Sequence, residues 1–216
     1  MKIDIIGTGM VGATLGSKLV QLGHEVKMGS RTANNENAVK WAKSNGSRAS
    51  NGTFSNAAAF GEVVFNCTAG NVSLEALKLA GSSNLKGKVL VDVSNPLDFS
   101  KGMPPTSTVC NTDSIGEQIQ RTFPGLKVEK ALNTLICKVM VEPSLVPGEH
   151  NIFVAGNDAQ AKAQVCGILE SFGWKGGSII DLGDITAARG TEMVLPLWLR
   201  LYGLCPNQSF NFRIAK

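Results

Sequence analysis

Histidine is nearly missing from this sequence: His24 and His150 are the only two in 216 residues. Its five cysteines (Cys67, Cys110, Cys137, Cys166 and Cys205) are odd in number and form no CxxC pair. With no histidine cluster beside them, neither a metal site nor a disulfide framework is expected. They read as the reduced thiols of a cytoplasmic protein. No Ser/His/Asp or Cys/His set suggests nucleophilic catalysis. No run reaches the roughly 18 uncharged apolar residues that a membrane span needs. Asp4 and the glycines at 7, 9 and 12 interrupt the N-terminus, which does not read as a secretory leader. Excess charge is also scarce. Lys+Arg 21 against Asp+Glu 17 leaves +4, and no basic run forms a stripe for nucleic acid.

Glycine, by contrast, is plentiful: 24 of 216 residues, about 11% against roughly 7% in ordinary domains. The remaining composition, 43% hydrophobic and 18% charged, is that of a globular chain of one-domain length. Short apolar runs (Lys2–Ile6, Glu25–Met28, Val63–Cys67, Lys88–Val93, Lys127–Ala131, Ile152–Ala155, Ser178–Asp181) alternate with segments of helical periodicity (Val11–Leu22, Asn35–Asn45, Phe54–Phe60, Ser73–Ala80, Ser114–Arg121, Ala159–Phe172). That alternation predicts an α/β fold: a Rossmann-like, doubly wound, mostly parallel sheet with a small C-terminal helical extension. Residues 1–132 are expected to form the nucleotide-binding domain. Residues 133–216 would complete the sheet and the acceptor cleft. The longest predicted helix, Thr186–Leu204, is apolar nearly all round. It should therefore be buried, partly in a subunit interface, and kinked at Pro196. Breaker-rich loops are expected at Asp98–Cys110 and Glu142–His150.

Gly7-Thr8-Gly9-Met10-Val11-Gly12 is a GxGxxG sequence placed after an apolar strand and before an amphipathic helix, the context in which it signals dinucleotide binding. Gly7 would make the tight turn, Gly9 would admit a pyrophosphate to the backbone, and Gly12 would let helix and strand pack closely. Met10 and Val11 open the helix whose N–H groups face the phosphates. The second strand ends in Gly29-Ser30-Arg31-Thr32. No acid stands there to accept from a ribose 2′-hydroxyl, while Arg31, Ser30 and Thr32 can donate to a 2′-phosphate. NADP(H) is therefore expected over NAD(H). Ligands of such sheets lie at the carboxyl ends of strands. This makes Cys67-Thr68-Ala69, Asn95-Pro96 and Asn133-Thr134 candidate lining for the nicotinamide end.

An alcohol dehydrogenase needs a proton relay. His24 precedes a strand, at the wrong end of the sheet; His150 lies in a loop, either near the site or solvated; Lys138 has no supporting pattern. The scarcity of acid and base residues fits hydride transfer between two redox cofactors, where the protein mainly stacks the rings. No side chain is therefore expected to act as an acid or base catalyst.

The GTGMVG loop, Gly23-His24-Glu25-Val26, Gly29-Ser30-Arg31, Asn95-Pro96, Ala131-Leu132-Asn133-Thr134 and the segment Glu192–Leu201 together resemble the NADP oxidoreductase, coenzyme factor-420-dependent family. The cytosolic domain of membrane metalloreductases is similar. The resemblance spans nearly the whole chain and is strongest over residues 1–31. It implies NADP(H) as cofactor, its 2′-phosphate held at Thr8, Ser30 and Arg31. The second reactant would be a small-molecule redox acceptor, a deazaflavin or flavin. Apart from the resemblance, the apolar terminal helix hints at a homodimer. Two other readings stay open: a small ketone, imine or hydroxyacid reductase using Lys138 or His150, and a non-enzymatic NADPH sensor.

Overall fold

A computed structural model describes residues 1–205 and 208–215. Among these, eight strands make one sheet: β1 (Lys2–Ile6), β2 (Glu25–Ser30), β3 (Ala49–Thr53), β4 (Val63–Asn66), β5 (Val89–Asp92), β8 (Lys127–Ala131), β9 (Ile152–Gly156) and β10 (Ile179–Asp181). Their order is β10-β9-β8-β5-β4-β1-β2-β3, and every neighbouring pair is parallel except β8 with β9. Strands β6 (Leu97–Asp98) and β7 (Thr106–Ser107) form a separate antiparallel hairpin. The helices are α1 (Met10–Gln21), α2 (Glu36–Ser44), α3 (Phe54–Phe60), α4 (Gly70–Ala80), α5 (Ser82–Leu85), α6 (Ile115–Thr122), α7 (Cys137–Val141), α8 (Ala159–Ser171), α9 (Ala188–Met193) and α10 (Leu195–Leu204). This is the doubly wound, Rossmann-like fold that the alternation of strands and helices predicts.

The central strands are buried on both faces, as parallel sheets require, so their sequences are continuous apolar runs rather than alternating ones. Within β4, Val63 and Phe65 enter one core with Ile3, Ile5, Leu15, Leu19 and Trp41. Val64 points the other way, into a second core with Ile6, Phe54, Leu77, Leu90 and Ile119. Helix α2 is fixed to α1 through Trp41, whose indole N–H donates to Ala13 O at 3.2 Å and Ser17 Oγ at 3.0 Å. A Cβ on Gly16 would lie 2.7 Å from the Trp41 ring.

The chain runs from β1 to β2 and β3 on one side, then crosses to β4, β5 and β8 on the other. The order therefore reverses between β1 and β4, and a crevice opens beyond their carboxyl ends.

Three expectations change. The segment Thr186–Leu204 is not one helix: α9 and α10 meet at Val194, with Pro196 in the first turn of α10. Proline is tolerated there because the first N–H groups of a helix lack partners anyway. Nor is the segment fully buried, since Leu197 and Leu204 are exposed (53% and 78%) and only Leu195 and Trp198 of α10 are buried. The long Asp98–Cys110 loop carries the β6–β7 hairpin, with Phe99 and Met103 exposed at its tip.

Candidate functional site

The crevice holds a cavity of about 330 Å³, lined on one side by Gly7, Thr8, Gly9, Ser30, Arg31 and Asn35, and on the other by Phe54, Cys67, Thr68, Ala69, Val72, Glu75, Ala76 and Leu79. The three motif glycines have separate geometric roles. At Gly7, φ is 120°, and a Cβ would sit 2.7 Å from the Cys67 carbonyl oxygen. At Gly12 a Cβ would lie 2.5 Å from Gly7 O and 3.0 Å from the Ile5 side chain, so glycine sets the approach of α1 to β1. At Gly9 a Cβ would meet nothing within 4 Å. Packing does not require glycine there; the space above its backbone is open.

Gly9 is the N-cap of α1, with no capping side chain and no acid in the first turn. Its first N–H groups are left for an anion, reinforced by the helix dipole. Met10 and Val11 contribute backbone to that turn; the Met10 side chain is exposed at 70%. At the end of β2, Ser30 is buried and its hydroxyl donates to Thr32 O at 2.5 Å. Arg31 and Thr32 are exposed, and Arg31 makes no salt bridge among the described residues. No carboxylate occupies this strand end.

At the end of β4 the Cys67 thiol is pushed far above its ordinary pKa by burial and by the nearby Asp92 carboxylate, so it stays protonated. Thr68 Oγ1 donates to Asn66 Oδ1 at 2.7 Å, and Asn66 Nδ2 donates to Asp92 Oδ1 at 2.8 Å. Gly70 starts α4 against the next strand end: a Cβ there would lie 2.3 Å from Asn95 O.

Asn95 and Asn133 form a reciprocal clamp. Asn95 Nδ2 donates to Asn133 O at 2.8 Å, and Asn133 Nδ2 donates to Asn95 Oδ1 at 2.9 Å. The turn that brings Asn133 into place needs Leu132 at φ 65°, a conformation costly for a non-glycine residue. Of the residues singled out in the sequence, Gly7, Thr8, Gly9, Ser30, Arg31, Cys67, Thr68 and Ala69 line the cavity. Met10, Val11, Gly12, Asn95 and Pro96 are not among its lining residues; Asn95 and Pro96 pack against Gly70, the residue after Ala69.

The two residues considered for proton transfer lie elsewhere. His150 is neither solvated nor in the crevice. It is buried, with Nε2 3.0 Å from Pro143 O, Nδ1 2.9 Å from Asn211 Nδ2, and its ring edge-on to Trp174. Lys138 is exposed on α7. His24 lies near the amino terminus of the chain, 3.5 Å from the Met1 nitrogen.

Sequence reasoning missed a buried charge triad. Lys130, on β8, has its ammonium 2.8 Å from Asp92 Oδ2 and 2.7 Å from Glu192 Oε1, and donates to Ser94 O at 2.5 Å. All three charged side chains are at most 2% exposed. Burial works against the charged lysine, but the Asp92 and Glu192 carboxylates outweigh it and raise the Lys130 pKa. Burial raises Glu192 against the opposing pull of Lys130. Glu192 also accepts from Ile115 N at 2.9 Å and Gly116 N at 3.2 Å, at the start of α6. The available signal was the charges in two otherwise apolar strands, Asp92 in VLVD and Glu129 and Lys130 in KVEKA, since an unpaired charge is rarely buried. The cavity's apolar wall on α3 and α4 was also missed, because Phe54, Val72, Ala76 and Leu79 look like ordinary helical core positions.

The sequence model of the family described as NADP oxidoreductase coenzyme F420-dependent matches residues 2–96. A crystal structure of a candidate F420-dependent NADP reductase from Arthrobacter sp. FB24 is 50% identical, with a TM-score of 0.95, and the match covers 100% of both chains. Metalloreductase STEAP3 of Rattus norvegicus is 27% identical over 201 residues. The match covers 91% of this chain and 38% of that protein, so the chain spans well under half of this relative. A reductive aminase from Aspergillus terreus in complex with NADPH and ethyl levulinate is 20% identical at a TM-score of 0.64, over 95% of this chain and 62% of that one. This last likeness is one of fold. With half its residues shared along the full length of the bacterial reductase, and the lining of its crevice within the matched segment, the chain belongs to the NADP oxidoreductase, coenzyme F420-dependent, family.

Proposed function

We propose that this family member transfers a hydride between the nicotinamide of NADP(H) and a flat acceptor of the deazaflavin or flavin class. The carrying observation is a contrast within one crevice. The phosphate end offers an uncapped helix N-terminus, open space over Gly9, and Ser30 and Arg31 with no acid beside them. At the turns after β4 and β5 neither of the ionisable groups near the crevice is placed to move a proton, and the one carboxylate in the lining, Glu75, stands on α4 among the apolar residues Val72, Ala76 and Leu79. The Cys67 thiol is held protonated, and the Lys130 ammonium already has three acceptors.

In this reading Gly7, Thr8, Gly9, Met10, Val11 and Gly12 form the pyrophosphate turn, while Ser30 and Arg31 hold the 2′-phosphate. Ser30 would turn its hydroxyl from Thr32 O toward the ligand. Cys67, Thr68, Ala69, Asn95 and Pro96 border the nicotinamide; Asn95 is kept in place by Asn133. When bound, the dinucleotide supplies the hydride. The protein fixes ring orientation and keeps that face free of competing proton donors. The relatives agree with this in kind: one is described as an F420-dependent NADP reductase, another as a metalloreductase. A ketone or imine reductase would need an acid at the acceptor, and neither Lys138 nor His150 lies there.

The exposed apolar side chains of α10 suit a homodimer, and the five unpaired thiols suit the cytoplasm. NADPH oxidation against a panel of deazaflavins, flavins and ferric chelates, with NADH in parallel, tests the assignment. Turnover of a flat acceptor with a strong preference for NADPH is the expected result. Tight NADPH binding with no turnover of any acceptor would instead point to a sensor.

A further inference from the structure

A continuous buried polar chain joins the carboxyl ends of β4, β5 and β8 to the C-terminal helices. It starts at Thr68, whose hydroxyl donates to Asn66, and Asn66 donates to Asp92 Oδ1. The same Asp92 oxygen accepts from the Ser94 hydroxyl at 2.8 Å and its N–H at 3.2 Å. The other Asp92 oxygen accepts from Lys130, and Lys130 pairs with Glu192 on α9. Glu192 in turn holds the first turn of α6. Every strong donor in this chain has a buried acceptor, so each member's position depends on the next.

Such a triad is a poor stabiliser by itself. Desolvating two carboxylates and an ammonium offsets most of their attraction, and apolar residues of similar volume hold a fold as well or better. What apolar residues cannot do is fix two polar turns in one orientation. Lys130 does this to the Ser94–Pro96 turn through Ser94 O, and Asp92 does it to the Thr68 turn through Asn66. Thr68 lines the crevice, the Ser94–Pro96 turn packs against Gly70 two residues on, and in the proposed reading both border the nicotinamide.

We infer that Asp92, Lys130 and Glu192 are positioning residues: they set the two turns bordering the nicotinamide and couple α9 to that geometry. The inference rests on the reading that this crevice holds NADP(H). It predicts an effect confined to the nicotinamide half of the ligand.

The test uses the full chain with Glu192→Gln, which keeps the side-chain volume and removes the charge, and Lys130→Met as a second variant. Affinities for NADPH and for 2′,5′-ADP, which carries only the adenosine half, are measured by titration. With the best acceptor, kcat and the primary deuterium isotope effect from C4-deuterated NADPH are also measured. We expect 2′,5′-ADP affinity within about twofold of wild type and NADPH affinity reduced several-fold. The isotope effect should rise as kcat falls by on the order of 10²-fold, the scale for a reacting group misplaced by an ångström. Equal losses for both ligands, or none for either, would overturn the inference. If Lys130→Met fails to fold, the isosteric Glu192→Gln variant decides it. If the wild type turns over no acceptor, the hydride-transfer reading fails, while the two affinities still decide the role of the triad.

Discussion

Replacing Gly9 by alanine separates the phosphate role of the loop from its structural role. Gly9 has φ −78° and ψ −177°, a conformation alanine adopts without strain, and the added Cβ would meet nothing within 4 Å. Alanine is a poorer N-cap than glycine by some tenths of a kcal/mol. It also removes about 0.4–1 kcal/mol of unfolded-chain entropy, so the two terms nearly cancel. Stability should stay within about 0.5 kcal/mol, and Tm within roughly 2 °C for a chain of this size. Binding should not survive as well. A methyl group there occupies the space through which a pyrophosphate reaches the helix N–H groups. Losing one hydrogen bond to a charged group costs about 1.5–3 kcal/mol, or roughly 10- to 150-fold in the Kd for NADPH. Calorimetric melting and fluorescence titration measure the two quantities on the same samples. An NADPH affinity within twofold of wild type at unchanged Tm would refute the phosphate assignment. Gly12→Ala provides the contrast: its Cβ would lie 2.5 Å from Gly7 O, so stability and binding should fall together.

Arg31→Ala should weaken NADPH by about 1.5 kcal/mol, the low end for a charged hydrogen bond because the side chain is exposed, and leave NADH within twofold. Equal losses for the two cofactors in competition titrations would sink the 2′-phosphate role. Asp4 and Glu129 are fully buried and form no ion pair among the described residues. Burial raises the carboxyl pKa of each to about 7, against the partial opposition of Lys88 for Asp4 and Lys162 for Glu129. A raised folded pKa means that the native state keeps its proton where the unfolded chain has lost it. Stability from these groups is therefore greatest below about pH 4 and declines as pH rises toward 7. For Asp4 the full loss is at most about 4 kcal/mol, at 1.36 kcal/mol per pKa unit. His24, whose pKa is lowered by burial and the chain amino group, acts in the opposite direction, so the informative quantity is a difference. Between pH 5 and 8 the melting temperature of Asp4→Asn should fall less than that of wild type; parallel curves would disprove the titration of Asp4.

Local order wrote the clearest signals into the sequence. The strand before Gly7, the helix after it and the three glycines lie within about a dozen residues. The roles of Gly7 and Gly12 follow from sterics at each position, so the glycine loop could be read directly. The absence of an acid after Met28 was equally plain, because it concerns a single strand end. The alternation of strands and helices likewise implied a parallel sheet, since each crossover helix must cover a face. The triad was not legible in this way. Asp92, Lys130 and Glu192 are separated by 38 and 62 positions, and each on its own resembles a stray charge in an apolar segment. Only the register of β5 beside β8, with Asp92 opposite Lys130, brings the first two together, and only the docking of α9 onto α6 supplies the third. The same holds for His150, which as a loop histidine suggested solvent or catalysis until the tail at Asn211 folded back over it. It holds too for the C-terminal segment, where periodicity promised one buried helix and packing left part of α10 exposed. Sequence by itself determined the fold class and the glycine turn that opens α1, because those depend on contacts between near neighbours. Tertiary structure decided which distant charges meet, and with them the geometry of the turns after β4 and β5, because a buried charge is tolerable only where the fold delivers its partner.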